Sequence, residues 1–133
     1  MSDNQCQICF AGTTRREVKE ETYSFKGYET VIQQPGLWCD SCGEGILNGD
    51  DLKATAEEID NFKQEVKLKI AKDLKEKREK LHITQKQAAE ICGGGVNAFH
   101  KYEKGEVLPP KATINLLTIL ANHPDLMKEI SSR

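Results

Sequence analysis

Two short runs of strand-forming residues lie in the N-terminal third, on either side of a Lys26-Gly27 dipeptide. The runs are rich in Thr, Tyr, Phe, Val and Ile, which favour strands. A glycine-containing dipeptide between two such runs is typical of a tight turn. The pattern therefore predicts a β-hairpin over the segment TYSFKGYETVIQQ, residues 22–34.

Beyond residue 50 the spacing of the apolar residues becomes that of a helix. One stripe recurs at intervals of three and four residues, at Ile59, Phe62, Val66 and Ile70. Either Asp50 or Asp51 is expected to cap the start of this helix. The stripe either packs on the preceding segment or belongs to a partly helical linker.

From about residue 71 onward the pattern predicts five short helices separated by tight turns. Glycines 93–95 separate the second helix from the third, and Gly105 ends the third helix. Pro109-Pro110 begins the fourth helix. Thr84 is the expected N-cap of the second helix. The five segments are KDLKEKREKLH, TQKQAAEICG, VNAFHKYEKG, KATINLLTILANH and DLMKEI.

These elements predict an α+β chain of two domains. A small β-hairpin and helix domain would occupy residues 1–68, and an all-α domain of five helices would occupy residues 69–133. Helices joined by tight turns in this way are typical of a helix-turn-helix bundle. In its fourth helix, the apolar residues Ile114, Leu117 and Leu120 serve either the core or a dimer contact.

Composition and charge narrow the class of protein. Apolar residues are 38% of the 133, and no apolar run approaches the roughly 18 residues that a membrane helix needs. The polar N-terminus lacks the layout of a signal peptide, so we expect a cytoplasmic, bacterial protein with reduced thiols and no membrane partner. Residues 1–69 carry a net charge of −5 and residues 70–133 a net charge of +3. The basic half suits a polyanion such as DNA.

Two C-x2-C pairs, Cys6 with Cys9 and Cys39 with Cys42, predict a metal site. Four thiolates complete the tetrahedron that zinc prefers and leave no open position, which indicates one structural Zn²⁺ ion per chain. The alternatives are a redox C-x2-C, which lacks its usual βαβ context, and two disulfides. Trp38 would cover the metal cluster or pack on the hairpin. The fifth cysteine, Cys92, is expected to be a small buried apolar residue.

No enzyme is expected. The metal site is closed, no nucleophile stands with a base, and the glycine triplet lacks the Lys-Ser/Thr that follows a phosphate-binding loop.

The third helix of the bundle carries the residue types that contact DNA bases. Val96, Phe99 and Tyr102 are three apart and are expected to face the core. Asn97 and Lys101 share the opposite face, with His100 and Lys104 beside it. Asn can pair with adenine and Lys can contact guanine in the major groove. Otherwise Asn97 is a helix cap after the glycines, and His100 and the lysines are solvated surface.

Gln85 and Lys86 open the second helix of the bundle, where amide donors and a positive charge would meet a DNA phosphate.

The combination of Arg78, the run QKQAAEI, a glycine break and YEKG resembles the phage-repressor-like helix-turn-helix family. In that family an arginine of the first helix pairs with the glutamate of the third-helix motif. The resemblance therefore implies an ion pair between Arg78 and Glu103.

Over nearly its full length the chain also resembles the MqsA-type antitoxins of bacterial toxin–antitoxin systems. The resemblance lies in both C-x2-C pairs, in YSFKG, in ITQKQAAEI and above all in CGGGVNAFHKYEKG. It implies a zinc domain (1–68) that binds and blocks a small ribonuclease toxin. It also implies a C-terminal domain (69–133) that forms a homodimer, binds a palindromic operator and represses its own operon. The family reads bases with an Asn and an Arg, and Lys101 departs from that Arg.

We therefore expect an antitoxin and autorepressor whose acidic N-terminal domain grips a basic ribonuclease. The alternative is a stand-alone zinc-containing helix-turn-helix repressor without a toxin partner.

Overall fold

The computed structural model describes residues 4–130, which form an antiparallel sheet and a set of helices. The α+β fold class predicted from the sequence is confirmed. No helix in this described range is long and apolar enough to cross a membrane. The elements are β1 (Thr14–Phe25), β2 (Tyr28–Cys39), β3 (Gly45–Ile46), α1 (Gly49–Lys80), α2 (Gln85–Cys92), α3 (Ala98–Glu103), α4 (Lys111–Asn122) and a 3-10 helix (Pro124–Glu129).

The chain divides into two compact units, an N-terminal unit up to Gln64 and a C-terminal unit from Glu65 onward. The sheet, in the order β1-β2-β3, belongs to the N-terminal unit. This division falls a few residues before the sequence-based boundary at 68/69. The roles assigned to the two domains stay predictions at this point.

The hairpin is longer than the segment that the sequence pattern marked. Strands β1 and β2 pair over twelve residues each, from Thr14 opposite Cys39 to Phe25 opposite Tyr28. Lys26 and Gly27 both have positive φ, 53° and 86°, as a tight two-residue turn requires. Because the two strands pair along their whole length, the end of β2 lies beside the start of β1.

One 32-residue helix, α1, spans both the helix predicted after residue 50 and the first of the five short helices predicted from about residue 71. The two segments form one continuous helix because neither Gly nor Pro occurs between Asp50 and Lys80, and most residues there are good helix formers. The expected cap at Asp50 or Asp51 was wrong. Asn48 accepts a hydrogen bond from the Asp51 amide at 2.8 Å, and Asp51 accepts one from the Asn48 amide at 2.9 Å. This reciprocal pair is a capping box.

The core of the C-terminal unit is built by α1, α2, α3 and α4 together. Its buried residues are Leu74, Ala88, Ala89, Phe99, Tyr102 and Leu117. Cys92 packs against this core but is only half-buried, whereas the sequence predicted a buried residue. Leu117 and Leu120 are 0% and 1% exposed, so these side chains of α4 are buried in the interior. Thr84 caps α2 as expected, in a capping box with Gln87.

Candidate metal centre and nucleic-acid interface

The four thiols of the two C-x2-C pairs lie together at the base of the hairpin. All four sulfur atoms, of Cys6, Cys9, Cys39 and Cys42, lie within 4.8 Å of one another. The Cys6–Cys42 and Cys9–Cys39 sulfur distances are both 3.7 Å. A tetrahedral site with metal–sulfur bonds of about 2.3 Å has sulfur–sulfur edges of about 3.8 Å. The cluster is therefore positioned to bind one metal ion.

Backbone amides of both C-x2-C turns point at the sulfur atoms. The amides of Ile8 and Cys9 donate to Cys6 Sγ at 3.3 and 3.4 Å. Those of Ser41 and Cys42 donate to Cys39 Sγ at the same two distances, 3.3 and 3.4 Å. Amide donors favour the thiolate form, which is the form that binds a metal.

The pKa values of the thiols follow from these donors. Hydrogen bonds from the amides of Cys9 and Ile8 lower the pKa of Cys6, and those from Ala11 and Gly12 lower the pKa of Cys9 to about 6. For Cys42, the Glu44 amide lowers the pKa, but desolvation and the neighbouring thiols raise it, and the net result is about 12. Like groups that share one site are expected to separate in this way.

Gly12 is a residue of the metal centre that the sequence analysis missed. A side chain at Gly12 would collide with Cys39 Sγ, and its Cβ would lie only 2.6 Å from Ser41 Cβ and 2.9 Å from Asp40 Oδ1. The Gly12 amide also donates to Cys9 Sγ at 3.4 Å. A glycine three residues after the second cysteine of a C-x2-C pair was the available signal.

Trp38 packs within the sheet, which was one of its two expected positions. A Cβ at Gly45 would lie 2.5 Å from the Trp38 ring, so β3 approaches the ring closely because it has a glycine there. On β1, the Nζ atom of Lys19 lies 5.1 Å from the centroid of the Trp38 ring. This distance is suited to a cation–π contact.

A polar network of three buried residues, Gln34, Asp51 and Thr55, and the exposed Arg16 ties the start of α1 to the hairpin, and the sequence analysis did not predict it. Both oxygens of Asp51 accept hydrogen bonds from the guanidinium of Arg16 on β1. Gln34 on β2 donates to the Asp51 carbonyl at 3.0 Å and accepts from Thr55 at 3.1 Å. The Arg16 hydrogen bond, together with the Asn48 amide, holds the pKa of Asp51 below its usual range.

Helix α3 presents a polar side to solvent and an aromatic side to the core. Phe99 and Tyr102 are 0% and 8% exposed. Their rings pack edge to face, with 5.4 Å between the ring centroids. Four of the residues that the sequence proposed for DNA contact lie on or beside this helix and are exposed, namely Asn97, His100, Lys101 and Lys104. The arrangement leaves these four side chains available to a large ligand.

The predicted burial of Val96 was wrong, because Val96 is 72% exposed. Helix α3 begins at Ala98, so Val96 does not belong to the helical face that Phe99 and Tyr102 share. It follows three glycines, 93–95, that all have positive φ. This turn carries Val96 away from the core.

Asn97 occupies the N-cap position of α3, yet its side chain makes no capping hydrogen bond. The capping interpretation therefore has no support in the structure, and the amide remains exposed. At the start of α2, Lys86 is exposed and Gln85 is half-buried.

Arg78 and Glu103 form a two-pronged ion pair between α1 and α3. Arg78 Nε donates to one Glu103 oxygen at 2.8 Å and Nη2 donates to the other at 2.9 Å. Arg78 Nη1 also donates to the Ile83 carbonyl at 2.9 Å. The two side chains are 13% and 5% exposed. The hydrogen bond to Glu103 holds the pKa of Arg78 above its usual range.

Comparison with known proteins identifies the family of the chain. A model of the family described as the antitoxin component of bacterial toxin–antitoxin system, MqsA, matches residues 4–131. Antitoxin MqsA of Escherichia coli (strain K12) is 40% identical over 129 residues, which are 95% of this chain and 98% of that protein. A solved structure of the N-terminal domain of E. coli MqsA matches with a TM-score of 0.43 and 30% identity, over 47% of this chain and 94% of that one. Since the family model and the E. coli relative both extend over nearly the whole chain, the chain belongs to the MqsA family of antitoxins of bacterial toxin–antitoxin systems.

Proposed function

We propose that this chain acts in the bacterial cytoplasm as an antitoxin with two binding activities and no catalytic one. The N-terminal unit binds and neutralises a cognate ribonuclease toxin. The C-terminal unit forms a homodimer and represses its own operon by binding palindromic operator DNA. Membership of the antitoxin family supports the first activity. The exposed polar side of α3 is the single observation that carries the second.

Asn97 and Lys101 are the residues that we assign to base recognition. Both are exposed, and Phe99 and Tyr102 anchor the same short helix in the core. An asparagine amide matches the donor and acceptor of adenine in the major groove, and a lysine can donate to guanine. Lysine lacks the planar fork of arginine, so we expect its guanine contact to be weaker than that of the family's usual Arg.

Further contacts would hold the DNA backbone. Lys86 is exposed at the first turn of α2, next to Gln85, where amide donors and positive charge suit a phosphate. His100 and Lys104 flank the base-reading pair. A homodimer would place its two α3 helices in successive major grooves, about 34 Å apart.

We infer that the metal is a single structural Zn²⁺ ion. Cys6, Cys9, Cys39 and Cys42 supply four thiolates and no open position, which is the donor set of structural zinc sites. Bound zinc would supply folding free energy to a small β-unit, and no chemical step runs through it.

The toxin surface that we propose is the acidic N-terminal unit. Strand β1 is an edge of the sheet and carries Glu17, Glu20 and Glu21. An edge strand can pair with a strand of another chain, and negative charge accelerates encounter with a basic partner.

The proposed binding of a toxin is tested with the full-length, zinc-loaded chain used as bait in DNase-treated lysate of the source cells. We expect it to retain a small basic protein that cleaves RNA once it is separated from the chain and is inhibited when the chain is added back. If a folded bait retains no such protein, the proposal that this chain binds a toxin is contradicted and a stand-alone repressor is favoured.

The DNA activity is tested with Asn97→Ala, and with Asn115→Ala as a matched control on the exposed surface of α4. The wild-type chain should enrich a palindromic sequence from a randomised duplex library. Loss of one bidentate base contact should cost about 1–3 kcal/mol of discrimination. We therefore expect Asn97→Ala to lose sequence preference and the control to keep it, with toxin binding unchanged in both. Unchanged preference in Asn97→Ala would exclude its role in recognition.

A further inference from the structure

An apolar side chain stands at the proposed DNA-reading surface without a partner in the core. Val96 is 72% exposed, the largest exposure among the large hydrophobic residues of the described chain, and it directly precedes Asn97. A shallow depression of about 250 Å³ is lined by Val96, Asn97, Lys101 and Val107, among others. Isolated exposed apolar residues are ordinary, but this one shares a depression with both residues assigned to base recognition.

The backbone before α3 presents Val96 in this position. Gly94 and Gly95 have φ values of 99° and 91°, which L side chains rarely adopt. The Ala98 amide donates to the Gly95 carbonyl at 3.3 Å and closes a turn around Val96 and Asn97. The polar and the apolar side chain therefore leave the same turn side by side.

Among the base edges of the major groove, the C5-methyl group of thymine is the apolar feature that a protein can recognise. The amide of Asn97 and the ammonium group of Lys101 recognise hydrogen-bond donors and acceptors, whereas a methyl group is recognised by an apolar contact. We propose that Val96 is a specificity-determining residue that contacts the C5-methyl group of a thymine next to the base read by Asn97. This inference rests on the proposed operator binding and adds a base preference to it.

The test removes the C5-methyl group from the DNA and, separately, the two γ-methyl groups of Val96 from the protein. The full-length, zinc-loaded chain first enriches a duplex from a randomised library, and each thymine of that duplex is then replaced in turn by deoxyuridine. Burying one methyl group contributes enough to change affinity about four-fold. We expect one thymine per half-site to show a loss of about three- to five-fold. Val96→Ala should bind the thymine and deoxyuridine duplexes within about 1.5-fold of each other.

Val107→Ala is the matched control, because Val107 is 47% exposed and lines the same depression. It should keep the sensitivity of the wild-type chain to deoxyuridine. The inference is overturned if no thymine is sensitive, if Val96→Ala stays as sensitive as the wild type, or if Val107→Ala loses the sensitivity instead. If the wild-type chain enriches no sequence at all, the proposed operator binding fails and this inference fails with it. Enrichment without methyl sensitivity overturns this inference alone.

Discussion

Arg78 and Glu103 show how a single pair of residues can serve the position of the proposed reading helix. Glu103 is the last residue of α3, and its carboxylate accepts two hydrogen bonds from Arg78 near the end of α1. Because both side chains are largely buried, the pair costs desolvation as well as gaining attraction. We therefore expect the ion pair to orient α3 as well as to contribute to stability.

Replacing one partner of this pair should be costly. Glu103→Gln leaves the largely buried Arg78 charge without its Glu103 counter-charge, and removal of one partner of a buried pair costs about 3–5 kcal/mol. We expect a loss of that size in the free energy of unfolding of the C-terminal unit, measured by urea denaturation and circular dichroism.

The double variant Arg78→Met/Glu103→Leu is the control, since it removes both charges. It should recover most of the lost stability while it weakens operator binding, because the pair would no longer orient α3. A loss below about 1 kcal/mol in Glu103→Gln would contradict the importance of the pair.

At the scale of elements, the hairpin and the two C-x2-C turns form one device. The twelve-residue pairing of β1 with β2 brings Thr14 opposite Cys39, so residues far apart in sequence meet at the base of the hairpin. Gly12 then lets the chain pass close to Cys39 as it enters β1. The geometry of the metal centre is thus set by strand register and by one missing side chain.

Gly12→Ala should therefore weaken metal binding. A Cβ at this position has no room beside Ser41 and Asp40, and forced overpacking costs about 1–3 kcal/mol. We expect zinc affinity to fall by about five- to 150-fold, measured by competition with a chromophoric chelator.

Gly49→Ala is the matched glycine substitution, because a Cβ at Gly49 meets no atom within 4 Å and the residue lies in α1. Alanine favours a helix by up to about 1 kcal/mol over glycine, so zinc affinity should be unchanged and stability equal or higher. Equal zinc affinities in the two variants would contradict the role of Gly12.

At the scale of the whole molecule, the two compact units draw their stability from different sources. The N-terminal unit consists of a long hairpin, a short third strand and the first half of α1, and most hairpin side chains are at least partly exposed. The C-terminal unit has a contiguous apolar core from Leu74 to Leu117. A small β-unit buries too little to be stable alone, whereas a helical core of this kind is not built around a metal.

Removing zinc should accordingly unfold one unit and spare the other. With a chelator at pH 7, we expect the amides of β1 and β2 to lose hydrogen-exchange protection, while those of α2 and α4 keep theirs. Toxin binding should be lost and operator binding retained. Loss of protection throughout the chain, or loss of operator binding alone, would contradict this division and would favour a zinc-sensing regulator.

Several features were predictable because they depend on neighbours in sequence. The turn at Lys26-Gly27 and the cap at Thr84 both follow from local rules and are present as expected. The family was recognisable from its cysteine pairs and from CGGGVNAFHKYEKG. Whether the helix after residue 50 continues past residue 71 was left open by the sequence pattern, and the structure shows one continuous helix, in a stretch that contains no helix breaker.

By itself, the sequence determined the residue types and their local spacing: two thiol pairs, a strand–turn–strand pattern, a glycine-broken helix pair and the Asn97–Lys101 pair on one side of α3. Only the tertiary structure decided what depends on distant segments: the strand register that gathers four sulfur atoms, the space that Gly12 leaves, the Arg16–Asp51 anchor and the exposure of Val96. Local propensity acts through a few neighbouring residues, whereas these contacts join residues brought together only by folding, or depend on where a helix begins after a turn.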